Sequence, residues 1–175
     1  MIKIAVIGHG PEDYTHVTEI ARRMDDALAI IKRQHFPEQD VLFNVNCEPG
    51  VGQWFCSILA EYHMPYEVYI SNMIDKHGLE WSDAQRDCLR QQIDRARAIH
   101  ICAMANTYDA RLIRNKRMVD DAQWILVFWN GSHRGITYET MLYALTNNKI
   151  VYNGIDGLHL LDNTNIKAEA LYERI

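Results

Sequence analysis

The chain has 175 residues, a formal net charge of −5 and a hydrophobic content of 48%. A length below about 250 residues and an average composition indicate one globular domain over residues 1–175, and they exclude a disordered, collagen-like or coiled-coil chain. A protein that wraps duplex DNA should be basic, so the negative charge argues against a duplex nucleic acid partner. It leaves room for a local basic pocket that binds a small phosphate compound.

The cysteines give no sign of a metal centre. None of the four forms a CxxC pair, and no spacing among them is typical of a zinc site, so we expect no metal and no cofactor. No apolar run approaches the ~20 residues that a membrane helix needs, and residues 1–8 are too short for a signal peptide. We therefore expect a soluble, cytoplasmic protein without a membrane partner.

Short apolar runs alternate with longer amphipathic segments along the chain. The runs are rich in β-branched and aromatic residues and largely lack polar alternation, which is typical of strands buried on both faces of a parallel sheet. The predicted strands are Ile2 to Ile7, Val41 to Val45, Tyr66 to Ile70, Ala98 to Cys102, Trp124 to Trp129 and Ile150 to Tyr152.

Apolar residues at helical spacing fill the gaps between these strands. This alternation predicts an α/β fold, namely a Rossmann-like, doubly wound, mainly parallel sheet flanked by helices in three α/β/α layers. Residues 153–175 have weaker signals and are expected to pack on the domain as a tail, with a short extended piece at Leu158 to Leu161 and a helix from Ile166 to Arg174. The predicted helices start near residues 17, 51, 81, 108 and 135.

Loops that follow parallel strands meet at one edge of such a sheet, and ligands bind there. The first of these loops, Gly8-His9-Gly10, could offer backbone amides to a phosphate. It is not a GxGxxG fingerprint, because Asp13 replaces the third glycine, and a plain turn is the slightly favoured alternative.

The loop after the second strand opens a helix at Gly50 and Val51. A helix N-terminus preceded by glycine can bind an anion through its free N–H groups and its dipole. A tight turn is the alternative, which Pro49 fits, and Glu48 would repel a phosphate.

The richest polar loop follows the most hydrophobic strand and leads into a helix whose first turn carries Thr137 and Glu139. Glu139 could instead complement the helix dipole, and Arg134 could be a solvated cation. On the preceding helix, Arg114 could clamp a phosphate with its planar fork. The loop itself is Asn130-Gly131-Ser132-His133-Arg134-Gly135.

The order of motifs between residues 112 and 144 is more specific than any single loop. An R-N-x-x-M-V-D run begins at Arg114, a strand ends in Trp129-Asn130-Gly131, and Gly135 precedes a helix. This order resembles the SLOG superfamily, which joins the DNA-processing Smf proteins and the Lonely-guy cytokinin-activating enzymes. Within it the chain is most similar to the small YpsA/YoqJ-like branch.

The resemblance covers about Ile2 to Tyr152, because Gly8-His9 and Gly50-Val51 resemble the first-strand turn and second-helix start of that branch. It implies a Rossmann-like sheet that binds nucleotides or nucleotide derivatives. With the loops above, the predicted ligand-binding residues are Gly8, His9, Gly10, Gly50, Val51, Asn115, Asn130, Gly131, Ser132, His133, Arg134, Gly135 and Thr137.

The resemblance also implies catalytic residues. Lonely-guy enzymes hydrolyse the N-glycosidic bond of a nucleoside monophosphate with an arginine of an R-K-x-x-M run and a glutamate of G-G-x-G-T-x-x-E. Arg114 stands four residues before Met118, and Glu139 stands four residues after Gly135, so both positions are filled here. This carry-over requires Arg114 and Glu139 to face one cleft.

Two functions follow from these patterns. In the first, Glu139 would stabilise the oxocarbenium-like state of a ribosyl C–N bond while Arg114 holds the phosphate or ribose. In the second, the pocket would act as a sensor or sequestering site for a nucleotide signal such as an ADP-ribose derivative, a role that the altered glycine loop at residues 131–135 favours.

A third function, binding of single-stranded DNA as in the Smf relatives, has little support in the sequence, because the chain is acidic and lacks a basic stripe with interleaved aromatic residues. The expected partner is a nucleotide-type small molecule. The relatives commonly pair through helices, and an aromatic content of 10% is compatible with a homodimer or a higher homo-oligomer.

Overall fold

The computed structural model describes residues 1–155, 157–162, 164 and 166. Within them, seven strands form one sheet. The strands are β1 (Ile2–Gly8), β2 (Val41–Val45), β3 (Tyr66–Ile70), β4 (Ala98–Ile101), β5 (Trp124–Phe128), β6 (Ile150–Asn153) and β7 (His159–Leu161).

The helices lie between these strands in the sequence. A 3₁₀ turn at Pro11–Asp13 follows β1, and a π-helical turn at Ile31–His35 extends the first helix. The α-helices are α1 (Val17–Ile30), α2 (Val51–Glu61), α3 (Asp83–Arg95), α4 (Tyr108–Asp120) and α5 (Gly135–Thr146).

The strand order is β4-β3-β2-β1-β5-β6-β7, and every pair is parallel except β6 with β7. Two apolar clusters lie on the two faces of the sheet. One cluster includes Met24 of α1 and Phe55 of α2, and the other includes Met118 of α4 and Met141 of α5. The predicted doubly wound α/β sheet with helices in both outer layers is therefore confirmed.

The element boundaries follow the predicted pattern to within a few residues. The predicted extended piece near Leu158 to Leu161 is the antiparallel strand β7. All of the predicted terminal helix except Ile166 lies outside the described residues. In the part of the chain that the structure describes, no helix is both long and apolar enough to cross a membrane.

The winding of the sheet reverses at β1. The chain leaves β1 toward β2 on one side and later returns to place β5 on the other side, with Gly8 paired to Phe128 in register. The carboxyl ends of β1 and β5 therefore flank a crevice, which is where open α/β sheets bind their ligands.

Candidate functional site

A cleft of about 590 Å³ lies along the carboxyl edge of the sheet. It is lined by residues of the loops that follow β1, β2, β3, β4 and β5, including Gly8, Asn46, His77, Asn106 and Gly135. The volume lies within the range of ~300–1,000 Å³ that is usual for small-molecule sites. The loops that the sequence indicated after β1, β2 and β5 thus meet in one place, together with the loops after β3 and β4.

Glycines let the backbones on the β1 and β2 sides of the cleft approach closely. The Val51 N–H donates to the His9 carbonyl over 3.2 Å. Gly50 has a φ of +95°, and a Cβ there would lie 2.5 Å from the same carbonyl oxygen. A side chain at Gly8 would overlap Val51. These glycines therefore fix the start of α2 against the turn that follows β1.

The helices α2 and α5 begin beside the cleft without a side-chain cap. The side chains of Ser82 and Thr107 cap α3 and α4, whereas no side chain caps α2 or α5. Gly52 in the first turn of α2 lines the cleft, as do the first three residues of α5. In α2 the Val51 and Gln53 N–H groups already donate to the carbonyls of His9 and Glu48. The start of α5 is therefore the better anion position, because the positive end of the helix dipole and uncapped N–H groups favour an anion there.

Several buried polar atoms around the cleft have no hydrogen-bond partner within the described residues. They are Nε2 of His9, Oγ1 of Thr137 and the ring nitrogens of His77, which have no hydrogen bond of good geometry although the Asn106 side chain lies close enough to raise the pKa of the ring. All three residues line the cleft, and the exposed fractions are 8% for the His9 side chain, 4% for His77 and 1% for Thr137. Because nearly all buried polar groups in proteins have partners, these atoms indicate a polar ligand.

Burial keeps both histidines neutral near pH 7. Desolvation lowers the pKa of His9, against the opposing charges of Asp13 and Glu12. Desolvation also lowers the pKa of His77, where the charge of Glu48 opposes the shift and that of Arg114 adds to it. A neutral imidazole has one hydrogen-bond donor and one acceptor, and in His9 only Nε2 faces no partner, because Nδ1 lies 3.7 Å from the Asp13 carboxylate.

Arg114 is buried behind the cleft, and its guanidinium is hydrogen-bonded to protein groups. Its Nη1 and Nη2 contact the Glu48 carboxylate, while Nε and Nη2 donate to Oδ1 of Asn115 over 3.1 and 2.8 Å. Nδ2 of Asn115 donates in turn to Oγ1 of Thr140 over 3.1 Å. Burial would raise the pKa of Glu48, but the guanidinium holds it below its usual value, so the pair is ionised.

Glu139 lies on the exposed side of α5. Its Oε1 accepts a hydrogen bond from the Tyr108 hydroxyl over 2.6 Å. Desolvation and this carboxylate raise the pKa of Tyr108 to about 12. Among the residues that the structure describes, neither Glu139 nor Arg114 is one of those that line the cleft.

The other predicted ligand-binding residues divide into two groups. The residues of the first group do not line the cleft. Gly50 and Val51 shape the backbone at the start of α2, and Asn115 holds Arg114. Asn130 donates to the Asp13 carbonyl over 3.1 Å, Gly131 adopts a φ of +90°, and His133 packs edge-to-face against Trp129. Those that line the cleft are Gly8, His9, Gly10, Ser132, Arg134, Gly135 and Thr137.

Sequence reasoning missed the β3 side of the cleft. His77, Glu80, Trp81 and Gln85 line it, and they follow β3 or begin α3. The sequence contained a signal for this side of the cleft, because β3 was predicted and polar residues follow its carboxyl end. Arg111 of α4 also lines the cleft and was not among the predicted ligand-binding residues.

The lining carries both signs of charge. Glu12, Asp13 and Glu80 contribute carboxylates, and Arg111 and Arg134 contribute cations. Within the described part of the chain, no group of three or more His, Cys, Asp or Glu side chains could hold a metal ion. The arrangement can therefore bind a ligand that combines an anionic group with hydrogen-bond donors.

Comparison with known proteins shows the fold but no family. No family model matches the chain, and no curated protein does. Among solved structures, the chain is similar to DNA processing protein A (DprA) from Streptococcus pneumoniae, with 13% identity and a TM-score of 0.66 over 99% of this chain. The chain spans 56% of the length of that protein.

Two further solved structures share the fold. DprA from Helicobacter pylori matches 99% of this chain and 72% of its own, with 14% identity and a TM-score of 0.64. The protein TM1055 matches over the whole of both chains, with 15% identity and a TM-score of 0.57. These likenesses show the fold alone, and the SLOG superfamily and its YpsA/YoqJ-like branch stay predictions from the sequence.

The prediction against a nucleic acid partner, which argued against duplex DNA from the net charge of −5 and gave single-stranded DNA little support, is wrong. The H. pylori DprA structure concerns how that protein binds single-stranded DNA, and its fold matches 99% of this chain. Net charge is a property of the whole surface, whereas phosphates are contacted by a few local groups. A negative total therefore does not exclude nucleic acid for this fold.

Proposed function

We propose that the cleft binds a nucleotide or a nucleotide-derived small molecule, with a phosphate at the N-terminus of α5. The observation that carries this proposal is the Thr137 hydroxyl, which is buried in the first turn of α5, lines the cleft and has no partner within the described residues. The helix start beside it has no side-chain cap. A phosphate oxygen would accept from this hydroxyl and from the free N–H groups.

The charges of the lining also support a phosphate at the start of α5. Arg134 precedes α5 and Arg111 lies on α4, and both line the cleft. Glu48, which the sequence suggested would repel a phosphate, is neutralised by Arg114 in a buried ion pair. The remaining carboxylates of the lining are suited to hydroxyl and amine donors, which the sugar and base of a nucleotide carry.

The geometry favours binding over hydrolysis. Arg114 is held by Glu48 and Asn115, and Glu139 is held by Tyr108 on the exposed side of α5. Neither residue lines the cleft, so the condition that both face it is not met, and hydrolysis of an N-glycosidic bond by Glu139 and Arg114 rests on the resemblance alone. A sensor or sequestering site requires only the cleft.

Titration calorimetry with adenosine monophosphate and with ADP-ribose tests the proposal. Thr137→Val should raise the Kd about tenfold, because it removes one hydrogen bond to a charged group. Thr146→Val is the matched control on the same helix, since the Thr146 hydroxyl donates to Leu142 O over 2.8 Å at an exposed position. Lack of binding to wild type, or equal loss in both variants, contradicts the proposal.

The same samples separate binding from turnover. Release of free base that disappears in Glu139→Ala would support the enzyme, whereas binding without base release would support the sensor.

A single-stranded nucleic acid is the second candidate ligand, favoured by the fold shared with the H. pylori protein. A short oligothymidine that binds more tightly than any mononucleotide, and whose binding weakens steeply with salt, would favour it.

A further inference from the structure

The cleft extends well beyond the start of α5. Its α5 side and its β3 side are separated by three strand spacings, because β2 and β1 lie between β3 and β5. At ~4.8 Å per spacing, the two sides are about 14 Å apart. In a nucleoside 5′-monophosphate the far edge of the base lies about 9 Å from phosphorus, and a hydrogen bond of ~3 Å at each end brings the span to about 15 Å. A base therefore reaches the β3 side from a phosphate at α5, whereas the sugar lies between the two ends.

An amide side chain with a fixed orientation follows β2. Oδ1 of Asn46 accepts from the Glu48 N–H over 3.1 Å, which assigns Nδ2 to the other end of the amide. Asn46 is 6% exposed and lines the cleft, yet its Nδ2 donates to no group within the described residues. The free end of Asn46 is therefore a hydrogen-bond donor.

A second amide is fixed in the same way at the start of α3. Oε1 of Gln85 accepts from the Ser82 N–H over 3.0 Å, as one half of the capping box of this helix. Gln85 also lines the cleft, and its Nε2 has no partner in the part of the chain that the structure describes. This side chain too has a free donor end.

The first turn of α2 brings the two amides to the same end of the cleft. A Cβ at Gly52 would overlap Oδ1 of Asn46, so Asn46 lies directly against this turn. The next residue, Gln53, donates from Nε2 to the Gln85 carbonyl over 2.8 Å. Asn46 and Gln85 thus lie on either side of one turn of backbone.

An aromatic surface lies beside these donors. Trp81 precedes α3, is half-buried and lines the cleft. Its N–H donates to the Gly78 carbonyl over 3.0 Å, and the His77 ring packs edge-to-face against its indole with ring centroids 5.1 Å apart. An indole held in this way, with amide donors nearby, suits a flat ring that has acceptor atoms on its edge.

We propose that the β3 side of the cleft binds the base of the ligand, which stacks on Trp81 and accepts hydrogen bonds from Asn46 and Gln85. This inference rests on the proposed function, because it assumes a phosphate at α5. Keto oxygens and ring nitrogens are the acceptors that a base presents on its edges. The ligand class is then a nucleoside phosphate rather than a sugar phosphate, with the base directed away from α5.

Two ligands that differ by the base test the inference, uridine 5′-monophosphate and ribose 5-phosphate. In calorimetric titrations of wild type, uridine 5′-monophosphate should bind at least about tenfold more tightly, because a base gains from stacking on an aromatic side chain. Gln85→Glu keeps the oxygen that caps α3 but replaces the donor with an acceptor. It should reduce the ratio of the two Kd values at least about fivefold.

The ratio separates the loss of a donor from the added negative charge, because the charge acts on the phosphate of both ligands. Gln91→Glu is the matched control, since it adds the same charge at an exposed position of α3 that does not line the cleft. It should leave the ratio within about twofold of wild type. Asn46→Asp makes the same exchange at the other amide, keeps the oxygen that accepts from Glu48, and should lower the ratio as Gln85→Glu does.

The outcomes separate the two proposals. If neither ligand binds wild type, the proposed function fails. If ribose 5-phosphate binds and uridine 5′-monophosphate binds no more tightly, the function stands and the base site is overturned. The base site is also overturned if Gln85→Glu and Asn46→Asp change the ratio no more than Gln91→Glu does.

A spectroscopic measurement on wild type covers the case in which the variants do not fold. The indole N–H signal of Trp81, assigned through the backbone amide of the same residue, is recorded with each ligand. Uridine 5′-monophosphate should shift it and ribose 5-phosphate should not. Equal shifts with both ligands, or none, contradict the inference.

Discussion

Two buried polar regions of this protein differ in how fully their hydrogen bonds are made. Behind the cleft, Arg114 contacts Glu48 and Asn115, and Asn115 continues to Thr140. In the lining, His77 and Thr137 are equally buried but have unpartnered atoms within the described residues. Burial of a polar group thus does not by itself mark a binding residue. A completed network is a structural element, whereas unpartnered buried atoms that also line a cleft are available to a ligand.

The largest expected effect is on the completed network. Arg114→Met should lower the free energy of unfolding by about 3–5 kcal/mol, because it leaves the Glu48 carboxylate in the protein interior without its partner. Urea denaturation measures the change. The double variant Arg114→Met/Glu48→Gln should recover part of the loss, and a single variant within about 1 kcal/mol of wild type would show that the pair is not structural.

The next largest expected effect is on the stability provided by the close backbone contact between Gly50 and His9. Gly50→Ala combines a φ of +95° with a Cβ placed 2.5 Å from His9 O, and it should destabilise the protein by about 2–4 kcal/mol. Gly157→Ala is the matched control, because its φ is +70° but a Cβ there meets nothing within 4 Å. Equal losses of unfolding free energy in the two variants would show that the close approach to His9 does not affect stability.

The pH dependence of stability reports on the same ion pair. The Arg114 guanidinium holds the pKa of Glu48 below its usual value near 4.5, although burial alone would raise it. The pair therefore stabilises the folded state above pH 4.5, and this contribution is lost as the pH falls through the lower folded pKa. The stability difference between wild type and Glu48→Gln should accordingly shrink below pH 4.5, and a difference that stays constant contradicts the ion pair.

The smallest effect distinguishes two threonines on one helix. Thr140 donates to Ile136 O over 2.6 Å and accepts from Asn115, whereas the Thr137 hydroxyl has no partner in the described structure. Thr140→Val should cost about 1–2 kcal/mol, and Thr137→Val should change stability by less than about 0.5 kcal/mol. Thermal denaturation without ligand measures both, and equal losses would mean that Thr137 is also a structural residue.

The fold was predictable because each element has a local signal. The strand β5 is a continuous apolar run, α5 starts at a glycine, and the alternation of the two kinds of segment determines the layers. The boundaries moved by a residue or two at some element ends, as at α3, which was predicted to start near residue 81 and starts at Asp83 after the Ser82 cap.

The site was predictable only in part. The glycine loops at Gly8 and Gly135 have a recognisable pattern, and both line the cleft. The interpretation of Arg114 as a phosphate clamp could not be tested from sequence, because its partner Glu48 lies 66 residues earlier in the chain. His77 has no motif around it, and its open hydrogen-bonding positions are visible only when the loops are assembled.

The central claim is that the incomplete region is the binding site. The most direct measurement is a titration of ¹⁵N-labelled protein with adenosine monophosphate, followed through backbone amide signals. The largest shifts should fall at Gly135, Ile136 and Thr137 in the first turn of α5, with smaller ones at His9. Saturable shifts confined to residues outside the cleft, or no shifts at millimolar ligand, would contradict the claim.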